Sequence, residues 1–124
     1  MIRIETIIGV ADIRKSSEWY QKLLGCKSNH GGNNFEILVD NDNTVILCLH
    51  KWGEHHHPTL ANPAIKPGNG LILYIKVDDL AKIWANSQKL DAQIEALPQK
   101  NENSGKDEFA IRDLDGYYLL ISLP

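Results

Sequence analysis

No stretch of these 124 residues approaches the apolar length that a membrane span requires, so a transmembrane helix is excluded from the reading. Basic blocks are missing as well. The 13 Lys and Arg are interspersed with 16 Asp and Glu for a formal charge of −3, and nothing gathers enough positive charge to hold a phosphate backbone. Neither nucleic acid nor a membrane is an expected partner. Cysteine is scarce: Cys26 and Cys48 stand alone in a chain long enough for a core, so free thiols are expected rather than a disulfide. The opening Met1-Ile2-Arg3-Ile4-Glu5-Thr6 carries charges inside its apolar pattern and does not read as a secretory signal, which points to the cytoplasm. There is also no Ser/His/Asp arrangement, phosphate loop or metal-binding cysteine cluster.

What is present is a duplication. Val77, Asp79, Leu80, Gln88, Lys89 and Leu90 each find a like residue 67 positions earlier, at Val10, Asp12, Ile13, Gln21, Lys22 and Leu23. A match of that length without gaps argues for a repeated unit, and two copies in a chain of this size argue for one compact domain made of two halves. Such a chain can bury roughly 65 to 70% of its unfolded surface without a staple.

In order, alternation of Ile2, Ile4, Ile8 and Val10 predicts a first strand from Ile2 to Val10. Asp12 then caps a helix from about Ile13 to Leu24, closed by Gly25. A weakly marked strand near Lys27 to His30, the turn Gly31-Gly32-Asn33-Asn34, and strands Phe35 to Val39 and Thr44 to His50 follow. Lys51 to Asn69, punctuated by Pro58, Pro63 and Pro67, shows no periodicity. The second half repeats the plan: strand Leu71 to Val77, cap Asp79, and a helix with Leu80, Ile83, Trp84, Ser87 and Leu90 on one face. A polar loop is expected from Leu97 to Lys106, then strands Phe109 to Arg112 and Tyr117 to Leu123 joined across Asp115-Gly116.

The motif Val10-x-Asp12-Ile13 leading into Trp19-Tyr20-x-x-Leu23-Leu24-Gly25, the later Phe109-x-Ile111-Arg112-Asp113-x-Asp115-Gly116-Tyr117, and the duplication together resemble the glyoxalase, bleomycin-resistance and extradiol-dioxygenase superfamily, the vicinal oxygen chelate fold. The resemblance implies an α+β chain of two tandem βαβββ modules, about 1–53 and 70–124 with a linker or lid at about 54–69. Their curved mixed sheets would form a cup, commonly in a homodimer. In the metal-using members each module offers one ligand from its first strand and one from its last. Those positions here fall on Glu5, Leu47, Ile72 and Leu120. Three of the four are aliphatic and cannot bond an ion, so no metal and no other cofactor are expected.

With those four pointing inward, period-two logic adds Ile7, Leu49, Tyr74, Lys76 and Tyr118 to the wall, along with Gly9, Val45 and Ser122. Trp52 would cover the mouth. Ile4, Ile8, Val10, Ile46, Cys48, Leu71, Leu73, Ile75, Val77, Leu119, Ile121 and Leu123 would lie beneath the helices. Glu5 is either a working carboxylate or a solvated one; Tyr74 and Tyr118 either bond a ligand or fill space. His55-His56-His57, with His50 nearby, could hold an ion, but adjacent imidazoles in a loop point apart and lack a second shell. Three functions remain open: a metal-free protein binding a small, largely apolar molecule; a glyoxalase-like lyase or isomerase using Glu5 as base or metal ligand; and a structural protein whose cup is filled by its own side chains.

Overall fold

The computed structural model describes residues 1–53, 57–62 and 64–124. His55, His56 and Pro63 lie outside the described residues. The chain divides into two compact units, Met1–Lys66 and Pro67–Pro124.

In the first unit, β1 (Ile7–Val10), α1 (Ile13–Leu24), β2 (Lys27–Ser28), β3 (Phe35–Val39) and β4 (Val45–Lys51) follow in order. The sheet runs β1-β4-β3-β2, with β1 parallel to β4 and the other pairs antiparallel. The Asp12 carboxylate accepts the Lys15 amide at 3.0 Å, and Gly25 closes the helix at φ 72°, a left-handed conformation that suits glycine. Along α1, Ile13, Tyr20 and Leu23 are buried at helical spacing, and α1 packs on β3 and β4. Each large aliphatic side chain so buried is worth about 1.5–3 kcal/mol.

Strand β1 is shorter than its alternation suggests. Ile2 and Ile4 are 94% and 89% exposed rather than packed beneath α1. The reason lies in the partner. Ile7 pairs with Cys48, so counting back brings Ile4 opposite Val45, the first residue of β4, and Ile2 opposite Asn43, a turn residue at φ 67°. An extended segment with nothing to pair against does not become a strand.

The second unit holds β5 (Ile72–Lys76), α2 (Leu80–Lys89), β6 (Gln93–Lys100), β7 (Asp107–Arg112) and β8 (Tyr118–Ser122), with sheet order β5-β8-β7-β6 and β5 parallel to β8. Asp79 caps α2 as Asp12 caps α1, accepting the Lys82 amide at 3.0 Å. Beneath α2 lie Phe109, Ile111, Leu119 and Ile121, and Trp84 meets Phe109 edge to face at 5.0 Å. The polar loop expected from Leu97 is in part a strand. Strand β6 runs to Lys100 despite Pro98, because it is the outermost strand and its register breaks between Ala96 and Gln99, where the missing amide costs no ladder bond.

A second correction concerns the phase of β4. Leu49 pairs with Ile8 and with Glu36, whose carboxylate accepts from Ser17 of α1 at 2.8 Å, so Leu47 and Leu49 face the helix. Cys48 and His50 share the opposite face with Ile7 and Gly9. Val45-Ile46-Leu47-Cys48-Leu49 is apolar throughout and gives period two no purchase, while a shift between Leu38 and Val39 moves the register; a slip of one residue exchanges the two faces.

Candidate functional site: two open sheet faces

Each sheet has one face under its helix and one face turned away from it. On the first sheet the open face carries Ile7, Gly9, Cys48, His50, Ile37 and Phe35. It is roofed by the chain that follows β4. A Cβ on Gly9 would overlap the Trp52 ring and come within 3.0 Å of Leu60, so the bare glycine backbone lets these side chains close down. The Gly53 amide donates to the Leu60 carbonyl at 2.7 Å, tying a short 3₁₀ turn at Pro58–Leu60 to the end of β4, and His57 meets His50 edge to face at 4.9 Å. The Trp52 Nε1 donor is buried without a partner among the described residues.

On the second sheet, the pairings set the open face out in rows across β5, β8 and β7: Ile72, Tyr118 and Arg112; Tyr74, Leu120 and Ala110; Lys76, Ser122 and Glu108. The first two rows are largely apolar, and Ile72 and Tyr74 remain 60% and 48% exposed. In the polar row, the Lys76 ammonium donates to Ser122 Oγ at 3.0 Å and sits 3.9 Å from the centroid of the Tyr74 ring. Hydrogen bonding with Ser122, then with Lys76, holds the Tyr74 phenol below its ordinary value. Arg112 lies 5.0 Å from the Tyr118 ring centroid and donates through Nε to Glu95 at 3.0 Å.

Of the residues expected at a site, Ile72, Tyr74, Lys76, Tyr118 and Leu120 thus share one face of the second sheet. Ile7 and Trp52 belong to the open side of the first, whereas Leu47 and Leu49 do not. Glu5 is exposed and precedes β1, near enough to Cys48 for its charge to act on the thiol. Burial first and Glu5 second push Cys48 up, and burial pushes the Cys26 thiol up to about 11; both are free.

The corrected phase gives the first module two donors, Glu5 and Cys48, where one was expected. They do not fit a catalytic metal ion. The second module offers Ile72 and Leu120, which have no donor atom, and two ligands from one module leave a catalytic ion short of its usual three. Among the described residues no three His, Cys, Asp or Glu side chains converge, and no helix is long and apolar enough to cross a membrane.

Two carboxylates escaped the sequence reading. Glu36, on the helix side of the first sheet, is 3% exposed and accepts from Ser17, Ser28 and the amides of Gly31 and Ile37 at 2.8 to 2.9 Å. Burial alone would raise its carboxyl, but these bonds outweigh it and hold the group below its ordinary value. Glu108, on the open side of the second sheet, is 8% exposed; Asn101 Nδ2 donates to Oε1 at 2.8 Å, while Oε2 is buried with no partner among the described residues. The alternation of Glu108, Ala110 and Arg112 against Phe109 and Ile111 is the signal that could have found it. A dent of about 380 Å3 near the start of α1 is lined by Ala11, Asp12, Ile13, Arg14, Asn33 and Lys51. Only Ile13 among them is buried, which makes it surface relief rather than a site.

Comparison with known proteins agrees with this architecture. A hypothetical protein from S. aureus, SA1046, superposes with a TM-score of 0.78 at 17% identity, covering 100% of this chain and 95% of its own. TioX from Micromonospora sp. ML1 gives 0.74 at 16%, covering 98% of each chain. A bleomycin resistance determinant encoded on the transposon Tn5 gives 0.69 at 20%, covering 99% of this chain and 98% of its own. At such identities the likeness is one of fold. No curated protein matches the chain. The family is settled by the sequence model that spans residues 3–121: the chain belongs to the Glyoxalase/Bleomycin resistance protein/Dioxygenase superfamily.

Proposed function

We propose that this protein binds a small, largely apolar molecule on the open face of its second sheet, without a metal, and that it works as a cytoplasmic homodimer. The observation that carries the reading is the unroofed patch of Ile72, Tyr74, Tyr118 and Leu120 beside a polar row on a rigid sheet. Apolar surface with a few fixed polar groups is the usual composition of a small-molecule site. The roofed face of the first sheet is the weaker candidate, because Trp52 and Leu60 already occupy it. Membership in a superfamily that includes bleomycin resistance proteins supports binding without deciding it.

A screen of aromatic and aliphatic compounds by protein-observed NMR tests the reading. Hits should shift the amides of β5 and β8, and Tyr74→Ala with Ile72→Ser should weaken them at least about tenfold, as for the loss of well-buried contact area. Hits that ignore both substitutions would sink it. The dimer is tested separately by light scattering, where a single-chain mass at micromolar concentration defeats it.

The enzyme reading, a glyoxalase-like lyase or isomerase, draws on one observation, the placement of Cys48 within electrostatic reach of Glu5. One equivalent of metal per chain in a tag-free preparation, lost in Glu5→Ala, would turn the case in its favour.

A further inference from the structure

The second sheet's polar row contains a group that its own fold leaves incomplete. Glu108 stands opposite Ser122 on β8 and is 8% exposed. Asn101 anchors Oε1, which fixes the carboxylate in place, yet Oε2 is buried and receives no donor among the described residues. An acceptor on a charged group left without a donor costs several kcal/mol in a dry setting, and native structures seldom tolerate one without a use for it. Lys76, the nearest cation in the row, does not supply that donor. Its ammonium is engaged by Ser122 Oγ and the Tyr74 ring, and no ion pair joins it to Glu108.

We propose that Glu108 is the anchor for a protonated amine at one end of an apolar ligand lying on this face. The inference rests on the binding function proposed above and names the chemical class of the ligand. The adjoining row fits the body of such a molecule: Tyr74 and Leu120 flank Ala110, a small side chain that is fully buried in the free protein, and Ala96 pairs with it on β6. An ammonium group brings N–H donors and a full charge, and a charge-assisted bond to carboxylate is about twice as strong as a neutral one. Tyr74, 48% exposed and within electrostatic reach of Glu108, must give up its contacts with Ser122 and Lys76 as the amine enters. Carboxylic acids are disfavoured at the same spot by like charge.

The test uses the full chain at pH 7 with benzylamine, benzyl alcohol and benzoate as size-matched probes, followed by NMR titration. Benzylamine should bind at least about tenfold more tightly than benzyl alcohol, and benzoate more weakly than either. Glu108→Gln should bring benzylamine down to the level of the alcohol while leaving the alcohol unchanged. A second measurement needs no variant: the benzylamine methylene should show nuclear Overhauser contacts to the Ala110 methyl and to the Glu108 side chain. Equal binding of amine and alcohol, or an amine preference that survives Glu108→Gln, or contacts confined to residues before Lys66, overturns the inference and leaves apolar binding standing. If none of the probes or screened compounds binds, both readings fall.

Discussion

Gly9 and Lys76 occupy the same place in the repeat, one position before Val10 and Val77 at the ends of their first strands. The modules differ in what those residues permit. Glycine lets Trp52 and Leu60 descend onto the first sheet, so that face is closed by the chain itself. Lysine raises a long side chain over the second sheet, ties it to Ser122 and leaves Ile72 and Tyr74 in the open. Two buried carboxylates on the sheets follow the same division. Glu36 has both oxygens satisfied and serves the fold, whereas Glu108 has one oxygen spare and is available to something else. Duplication supplies two equivalent scaffolds, and single substitutions decide which is filled and which stays free.

That contrast can be broken at graded cost. The largest effect should come from Glu36→Ala, which strands two serine hydroxyls and three amides, those of His30, Gly31 and Ile37; unfolding in urea should show a loss of about 3 kcal/mol. Because the Glu36 carboxyl is held below its ordinary value in the folded chain, its contribution is complete above the usual carboxyl range and fades as pH falls through the folded value. Glu36→Gln should therefore flatten the acid side of the stability profile, and an unaltered profile would place the carboxylate's role elsewhere. Gly9→Ala comes next, at about 2 kcal/mol, since its methyl meets the indole. A crystal structure of that variant should show Trp52 displaced; a silent substitution would mean that the roof is not held down at all.

Smaller effects test what the modules share. Asp12→Ala and Asp79→Ala should each cost about 1 kcal/mol, because both carboxylates accept one amide at 3.0 Å in the first turn of a helix. A large inequality between them in thermal melts would show that the two strand-to-helix turns are not equivalent. Smallest of all, Lys76→Ala should stay within about 0.5 kcal/mol, as expected of an exposed residue that serves a ligand more than the fold, and Glu108→Gln, which removes a buried charge with one unpartnered oxygen, should not lower stability. A loss near that of Gly9→Ala would make the open face structural.

How far the sequence could be read depended on whether neighbouring positions contrasted. The caps and α1 were legible, for Asp12 and Gly25 punctuate a pattern with a clear polar side. So was the order of elements, which repeats. The phase of β4 was not, because an unbroken apolar run carries no alternation to read. The reach of β1 was overestimated for a different reason: Ile2 and Ile4 alternate correctly, but strand formation needs a partner that local pattern does not reveal. Alternation puts Glu108 on one face with Ala110 and Arg112, but its significance rests on one unsatisfied oxygen, which depends on the folded neighbourhood and not on local pattern.

Pro98 also bears on solubility. The outer edge of β6 would otherwise present a row of amides and carbonyls to any passing extended chain, and this strand is eight residues long. Proline withdraws one donor and the register breaks around it crook the strand, so a second molecule cannot add itself in register. The protection costs the fold nothing, since the lost amide faces no neighbour. Replacing Pro98 with valine would regularise the edge, and concentrated solutions of that variant should form cross-β aggregates sooner than the parent under agitation.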